Sequence, residues 1–159
     1  MEALLDLLQK NARLSTREMS ERLGKTESEI ESALASFIAD RTILGYHAVV
    51  DPDRVERSGV SALIEVKLTP EREGGFDHLA QRIAKFDQVT SCYLMSGGYD
   101  LAVIVEGDDL REVARFVSDK LSTIDGVIST ATHFQLKLYK QSGFLATDST
   151  SNERLPVSP

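Results

Sequence analysis

Leu4, Leu5 and Leu8 open the chain with an apolar stripe at helical spacing, which breaks at Asn11-Ala12-Arg13-Leu14. Ser15-Thr16-Arg17-Glu18 then has the form of a capping box, in which a hydroxyl accepts an orphan amide proton and a glutamate reaches back. Met19 and Leu23 are the inward positions of the helix that follows, and Gly24 is placed to end it in the left-handed conformation. Thr26-Glu27-Ser28-Glu29 repeats the capping box, and Ile30, Leu34, Phe37 and Ile38 give a third helix its apolar face. Two capped helices joined across a glycine turn make the helix-turn-helix pattern, here within residues 1–45.

Ile43 to Val50 reads as an extended segment that ends at Asp51-Pro52, so residues 46–58 form a strand and a polar linker. From residue 59 the period changes. Ala62, Ile64, Val66 and Leu68 alternate with Ser61, Leu63, Glu65 and Lys67, as in a strand. A loop at Pro70 and Gly74-Gly75 leads to Phe76, Leu79, Ala80 and Ile83 at helical spacing. Val89 to Met95 and Tyr99 to Val105 are two strands, and Gly97-Gly98 between them predicts a tight hairpin with both glycines at positive φ. Asp108 or Asp109 caps a helix with the stripe Leu110, Val113, Ala114, Val117 and Leu121, and a last strand runs from Val127 to Leu138. Strand, helix, strand, strand, helix, strand over residues 59–139 is the ferredoxin-like βαββαβ order. Residues 140–159, rich in Ser and Thr, read as a flexible tail.

The alternation also sorts the sheet faces. Ile64, Val66, Leu94, Val103, Ile128 and Phe134 are expected against the helices. The opposite face carries Leu63, Tyr93, Met95, Ile104 and Ala131 among Glu65, His133 and Gln135. A half-apolar open face calls for a cover, and a second copy of the chain is the simplest one, so a homo-oligomer is expected with Leu63, Tyr93, Met95 and Ile104 at its interface.

Composition narrows the class without changing this outline. With 159 residues, 42% hydrophobic and 27% charged, the chain is an ordinary globular protein with room for two small domains. No apolar run reaches the roughly 18 residues of a membrane span, and the start lacks a basic secretory flank, so no membrane role and a cytoplasmic location are expected. Cys92 is the single cysteine and sits in an apolar strand, where a thiol is usually a small core residue. His47, His78 and His133 are widely spaced and show no metal-ligand pattern. No nucleophile motif or phosphate-cradling loop is present, so no catalytic residue, metal or cofactor is expected. The net charge of −7 argues mildly against a nucleic-acid partner and must be weighed locally.

Four passages together resemble one family, the leucine- and asparagine-responsive regulators (Lrp/AsnC). Leu4-Leu5-Asp6-Leu7-Leu8-Gln9-Lys10-Asn11-Ala12-Arg13 is similar to its opening helix, and Ile43-Leu44-Gly45-Tyr46 to its wing. Ser96-Gly97-Gly98-Tyr99-Asp100 resembles its hairpin, where Gly-Asp-Tyr-Asp or Gly-Asp-Phe-Asp is usual, and Ser129-Thr130-Ala131-Thr132 the start of its last strand. The resemblance implies an α+β protein: an N-terminal winged helix-turn-helix on a C-terminal ferredoxin-like domain that pairs into dimers and assemblies of dimers. It implies double-stranded DNA as one partner. It also implies an effector, an amino acid or similar small molecule, bound near the hairpin between dimers.

Two groups of residues would carry those roles. Lys25, Thr26, Ser28 and Ser32 stand at the entering end of the third helix, and Arg13, Arg17 and Lys25 are placed to grip phosphate. Where the family often has arginines, this helix holds Ala33, Ala35 and Ser36, and Glu27, Glu29, Glu31 and Asp40 make it acidic. A second reading therefore stands beside the first: a ligand-sensing or assembly partner of this fold that has lost specific DNA binding. For a zwitterionic effector, Asp100 offers an anion to an ammonium group. The amides of Gly97 and Gly98 and the hydroxyls of Ser96, Thr130 and Thr132, beside Tyr99, offer donors to a carboxylate. The bland alternative is that Gly-Gly-Tyr-Asp is a good turn and the threonines are strand formers. Sirohaem decarboxylases share this architecture, but no constellation here would bind a tetrapyrrole.

Overall fold

Three helices build the N-terminal part of the protein: α1 (Glu2–Lys10), α2 (Thr16–Leu23) and α3 (Glu27–Ala39). The computed structural model describes residues 2–56, 59–70 and 75–146, and the chain divides into two units, Met1–Val49 and Val50–Pro159. Both capping boxes form as the sequence predicts. Ser15 and Glu18 close α2, Thr26 and Glu29 close α3, and Gly24 ends α2 at φ 62°. Leu4, Leu14, Met19, Ile30, Ala33 and Phe37 make the core of this unit.

Ile38 differs from the expectation: it is 55% exposed, and Ala33 takes the place assigned to it. The reason is geometric. Residues 30, 33 and 37 fall on one line of a helix, and Ile38 lies a further turn of about 100° away from it. After α3 the chain reverses at Arg41, which holds φ 62° and lets the Ile43 amide reach back to the Phe37 carbonyl at 2.9 Å. Residues 44–50 form neither helix nor strand, so the strand expected there is absent among the described residues.

The second unit begins with a 3₁₀ turn (Pro52–Arg54) and continues β1 (Val60–Leu68), α4 (Asp77–Ile83), β2 (Val89–Leu94), β3 (Leu101–Gly107), α5 (Leu110–Arg115) and β4 (Val127–Phe134). A π-helical turn, Phe116–Leu121, extends α5. Asp109 caps α5 by accepting the Glu112 amide. The sheet is antiparallel throughout, in the order β2-β3-β1-β4. Ala62, Ile64, Val66, Leu101, Val103 and Val105 pack from the sheet against Leu79, Ile83, Val113, Phe116 and Leu121. Cys92 is half-buried against this core, and the loss of water around it pushes its thiol above the ordinary value.

Four expectations are corrected here. β4 stops at Phe134, short of Leu138: its last pair with β1 is Ala62 with Phe134, and one further bond, from the Gln135 amide to the Ser61 carbonyl at 2.9 Å, follows it. Ile128 is 64% exposed instead of facing the helices. Lys67 pairs with Ser129 but Leu68 pairs with Val127, so Ile128 is the extra residue of a bulge and Val127 takes the core position. Leu94 and Phe134, also assigned to the helix side, remain 59% and 36% exposed at the ends of the two edge strands. Finally, residues 140–145 are ordered: β5 (Lys140–Gln141) and β6 (Phe144–Leu145) form a hairpin. Ser142 and Gly143, both at positive φ, give it the primed turn that short hairpins favour. The rest of the expected tail, residues 147–159, lies outside the described residues, as do residues 57–58 of the linker and 71–74 of the loop after Pro70.

Candidate functional site

In the first unit, the direction of α3 is set by its buried side: Ile30, Ala33 and Phe37 face the core. The residues opposite are therefore Ser28, Ser32 and Ala35, all exposed, with Glu31 on one flank and Ser36 on the other. Ser28 and Ser32, with Lys25, also line a groove of about 510 Å³ beside Ala3 of α1. Arg13 and Lys25 are exposed on either side of α2. Arg17 is exposed too, but its Nε is bonded to Glu21 at 3.0 Å, a surface pair one helical turn away. Thr26 is occupied as the cap: its hydroxyl donates to Glu29 Oε2 at 2.8 Å and accepts the Glu29 amide at 3.3 Å. Of the six sequence-predicted DNA contacts, Arg13, Lys25, Ser28 and Ser32 keep their polar side chains uncommitted among the described residues.

Charge in this unit has a local cause. The Ser15 backbone and hydroxyl hold the Glu18 carboxyl below its ordinary value, and Thr26 does the same for Glu29. Both groups are spent on helix starts.

In the second unit, the hairpin is wider than two residues. Leu94 pairs with Leu101, so Met95 to Asp100 is the loop, closed by the Met95 amide on the Asp100 carbonyl at 2.8 Å. Only Gly97 of the two glycines has positive φ, 151°, which corrects the expectation for Gly98. Asp100 is tied to β1 twice. Its amide donates to the Val66 carbonyl at 3.0 Å, and its Oδ2 accepts the Leu68 amide at 2.7 Å. That second bond lies just past the last β1–β3 pair, Val66 with Leu101, where the Leu68 amide faces no regular strand partner. The sequence offers no signal for it, because the two residues are 32 positions apart.

Ser96, Gly97 and Gly98 are exposed, and Tyr99 and Asp100 are half-buried. Thr130 pairs with Val66 on the side of β1 opposite to Leu101. The hairpin and Thr130 thus flank the same end of β1 but stand two strand spacings apart, about 10 Å. Thr132 pairs with Ile64, two residues further along. Within one chain these groups do not converge. The Thr130 hydroxyl instead lies 3.4 Å from that of Ser122, a neighbour the sequence reading missed.

The outer sheet face holds Leu63, Tyr93 and Ile104 as the alternation predicts, while Met95 lies past the end of β2 in the loop. Leu63 pairs with Ile104 and both are half-buried, while Tyr93 is 56% and Met95 41% exposed. Beside them His133 Nε2 lies 3.3 Å from Glu65 Oε1. Among the described residues, no group of three or more His, Cys, Asp or Glu side chains is placed to hold a metal. No helix among them is long and apolar enough to cross a membrane.

Known proteins match both units. The family described as a winged helix-turn-helix DNA-binding domain matches residues 2–43, and the Lrp/AsnC ligand binding domain matches residues 61–145. An HTH-type transcriptional regulator of Bacillus subtilis, YugG, is 42% identical over 98% of this chain and 95% of its own length. A proline dehydrogenase transcriptional activator of Rhizobium radiobacter is 26% identical over 88% of this chain and 89% of its own. Among solved structures, a transcriptional regulator of Neisseria meningitidis in complex with L-Met superposes with a TM-score of 0.66 at 28% identity, covering 87% of this chain and 88% of that one. AsnC of E. coli shares the fold with a TM-score of 0.63 at 22% identity, over 87% and 91% of the two chains.

Proposed function

The chain belongs to the Lrp/AsnC family of transcriptional regulators, and from that premise we propose how its parts divide the work. The helix-turn-helix unit binds double-stranded DNA. The ferredoxin-like unit binds an amino acid or similar small molecule and joins copies of the chain through its outer sheet face. The protein acts in the cytoplasm, by binding and not by catalysis.

One observation carries this reading: a DNA-binding domain and a ligand-binding domain follow each other in a single chain, and each falls within a separate structural unit. Arg13 and Lys25 supply phosphate contacts, and Ser28 and Ser32 face the groove. With no cation inside α3, most of the affinity comes from phosphate neutralisation. Binding therefore falls with salt at a slope of about −0.9 per phosphate neutralised. In the second unit the turn amides at Gly97 and Gly98 meet the effector carboxylate. Thr130 and Thr132 reach it from the neighbouring subunit, because within one protomer they stand a strand away.

Binding of genomic fragments by the purified protein, across a salt series and with each common amino acid, tests the proposal. Selective retention of a few fragments that an amino acid changes supports it. Retention without any sequence preference favours the second reading, a sensing module that has lost specific recognition, to which the acidic α3 points. An amino acid that bridges subunits also raises the melting temperature and the assembly size by linkage.

A further inference from the structure

Every exposed carboxylate near a DNA-facing helix weakens its hold on phosphate, and α3 carries three glutamates with no lysine or arginine. Two of them are set aside by position. Glu29 is consumed in the capping box, where Oε2 takes both the amide and the hydroxyl of Thr26 at 2.8 Å. Glu27 is exposed in the first turn of α3, where its carboxylate complements the positive end of the helix. Glu31 remains: it is exposed, borders the outward face of Ser28, Ser32 and Ala35, and has no hydrogen bond or ion pair among the described residues.

We propose that Glu31 is a specificity-determining residue, which reads the amino group of a cytosine in the major groove. The inference rests on the reading above that α3 enters the groove. The chemistry follows from what α3 lacks. Guanine offers two acceptors, O6 and N7, and is read by paired donors from arginine or lysine; adenine is read by the amide of asparagine or glutamine. None of these residues occurs in Glu27–Ala39. A carboxylate is acceptor only, so the acceptor edges of guanine and thymine repel it. Adenine offers an amino donor, but its N7 acceptor lies alongside. Cytosine alone presents an amino donor with no acceptor on its own major-groove edge. The small side chains of Ser28, Ser32 and Ala35 let the helix approach the base edges closely enough for a glutamate to reach one. Arg13, Lys25 and Arg41, exposed outside the helix, supply the positive charge that α3 withholds.

Selection of bound sites from randomised duplexes, with the full chain as wild type, Glu31→Ala and Glu31→Gln, tests this. Glu31 lies outside both capping boxes, so all three proteins should melt alike. The wild-type motif should contain a cytosine at one fixed position, and replacing it should weaken binding about tenfold. Glu31→Ala should lose the preference at that position only, while binding mixed DNA more tightly for want of a like charge near phosphate. Glu31→Gln should move the preference toward adenine, whose N6 and N7 a glutamine can pair together. An unchanged motif in both variants overturns the assignment of Glu31 alone. A wild-type chain that selects no motif overturns base reading by α3 altogether, and this assignment with it.

Discussion

The carboxylate of Asp100 accepts a 2.7 Å hydrogen bond from the backbone amide of Leu68, across 32 residues of sequence and at the bulge of the sheet. Leu68 is buried, so its amide has no water to turn to if that acceptor is removed. Asp100 therefore does structural work whatever else it does at the hairpin.

Asp100→Ala should destabilise the second unit by about 1.5–3 kcal/mol, the usual loss for a charge-assisted bond at a buried group. Asp100→Asn keeps an acceptor oxygen and should cost about 1 kcal/mol or less. Chemical denaturation of the two variants checks this; equal losses would mean that the charge, and not the bond, matters. The same pair separates two roles in effector binding. If Asp100 meets an ammonium group directly, Asp100→Asn loses the thermal response to amino acids as fully as Asp100→Ala does. If it only holds the loop, Asp100→Asn keeps that response.

Arg41 sits in the left-handed region at φ 62°, where a side chain is strained and glycine is not. Arg41→Gly should stabilise the first unit by about 0.5 kcal/mol, since relief of that strain exceeds the added freedom of the unfolded chain. Loss of a cation beside α3 should at the same time weaken DNA binding and reduce the salt slope by about one unit. A melting curve and a salt titration on one variant read both effects; a lower melting temperature would contradict the strain argument.

Glu18 and Glu29 are both held below their ordinary value, 4.5, by the helix starts that they close. A depressed folded-state value means that the stabilisation is present above the unfolded value and is lost as pH falls through the folded one. The first unit should thus lose stability from about pH 4.5 downward. Glu18→Gln with Glu29→Gln keeps both caps closed without a titrating proton, so the double variant should show a flatter acid limb. An identical limb in wild type and double variant would assign the acid loss to other carboxylates.

Leu63 and Ile104 stand directly opposite each other on the outer sheet face, with Tyr93 and Met95 exposed toward the hairpin end. Ile104→Lys or Tyr93→Asp should convert the assembly to smaller species in light scattering, with the helix content unchanged. A wild-type chain that is monomeric at micromolar concentration would remove the basis for this interface.

Local signals made most of the elements legible. Each capping box spans four residues, Gly24 acts on the turn it sits in, and the change from helical spacing to alternation marks the entry into the sheet. These interactions join neighbours in the chain, so residue order alone determines them. The same holds for the acidity of α3, which is a property of composition.

What the tertiary structure decided lies between residues far apart. The order β2-β3-β1-β4 places the hairpin and Thr130 on opposite sides of β1, so a candidate effector site that looks contiguous as a list is split within one chain. A single bulge exchanges Val127 for Ile128 in the core, and β4 ends at Phe134, where its pairing with β1 stops. The bond from Asp100 to Leu68 exists because regular pairing of β1 with β3 ends at Val66 and Leu101, which leaves the Leu68 amide facing the hairpin. Alternation states which side chains share a face, but register, strand ends and the partners of displaced backbone groups depend on where two distant segments meet.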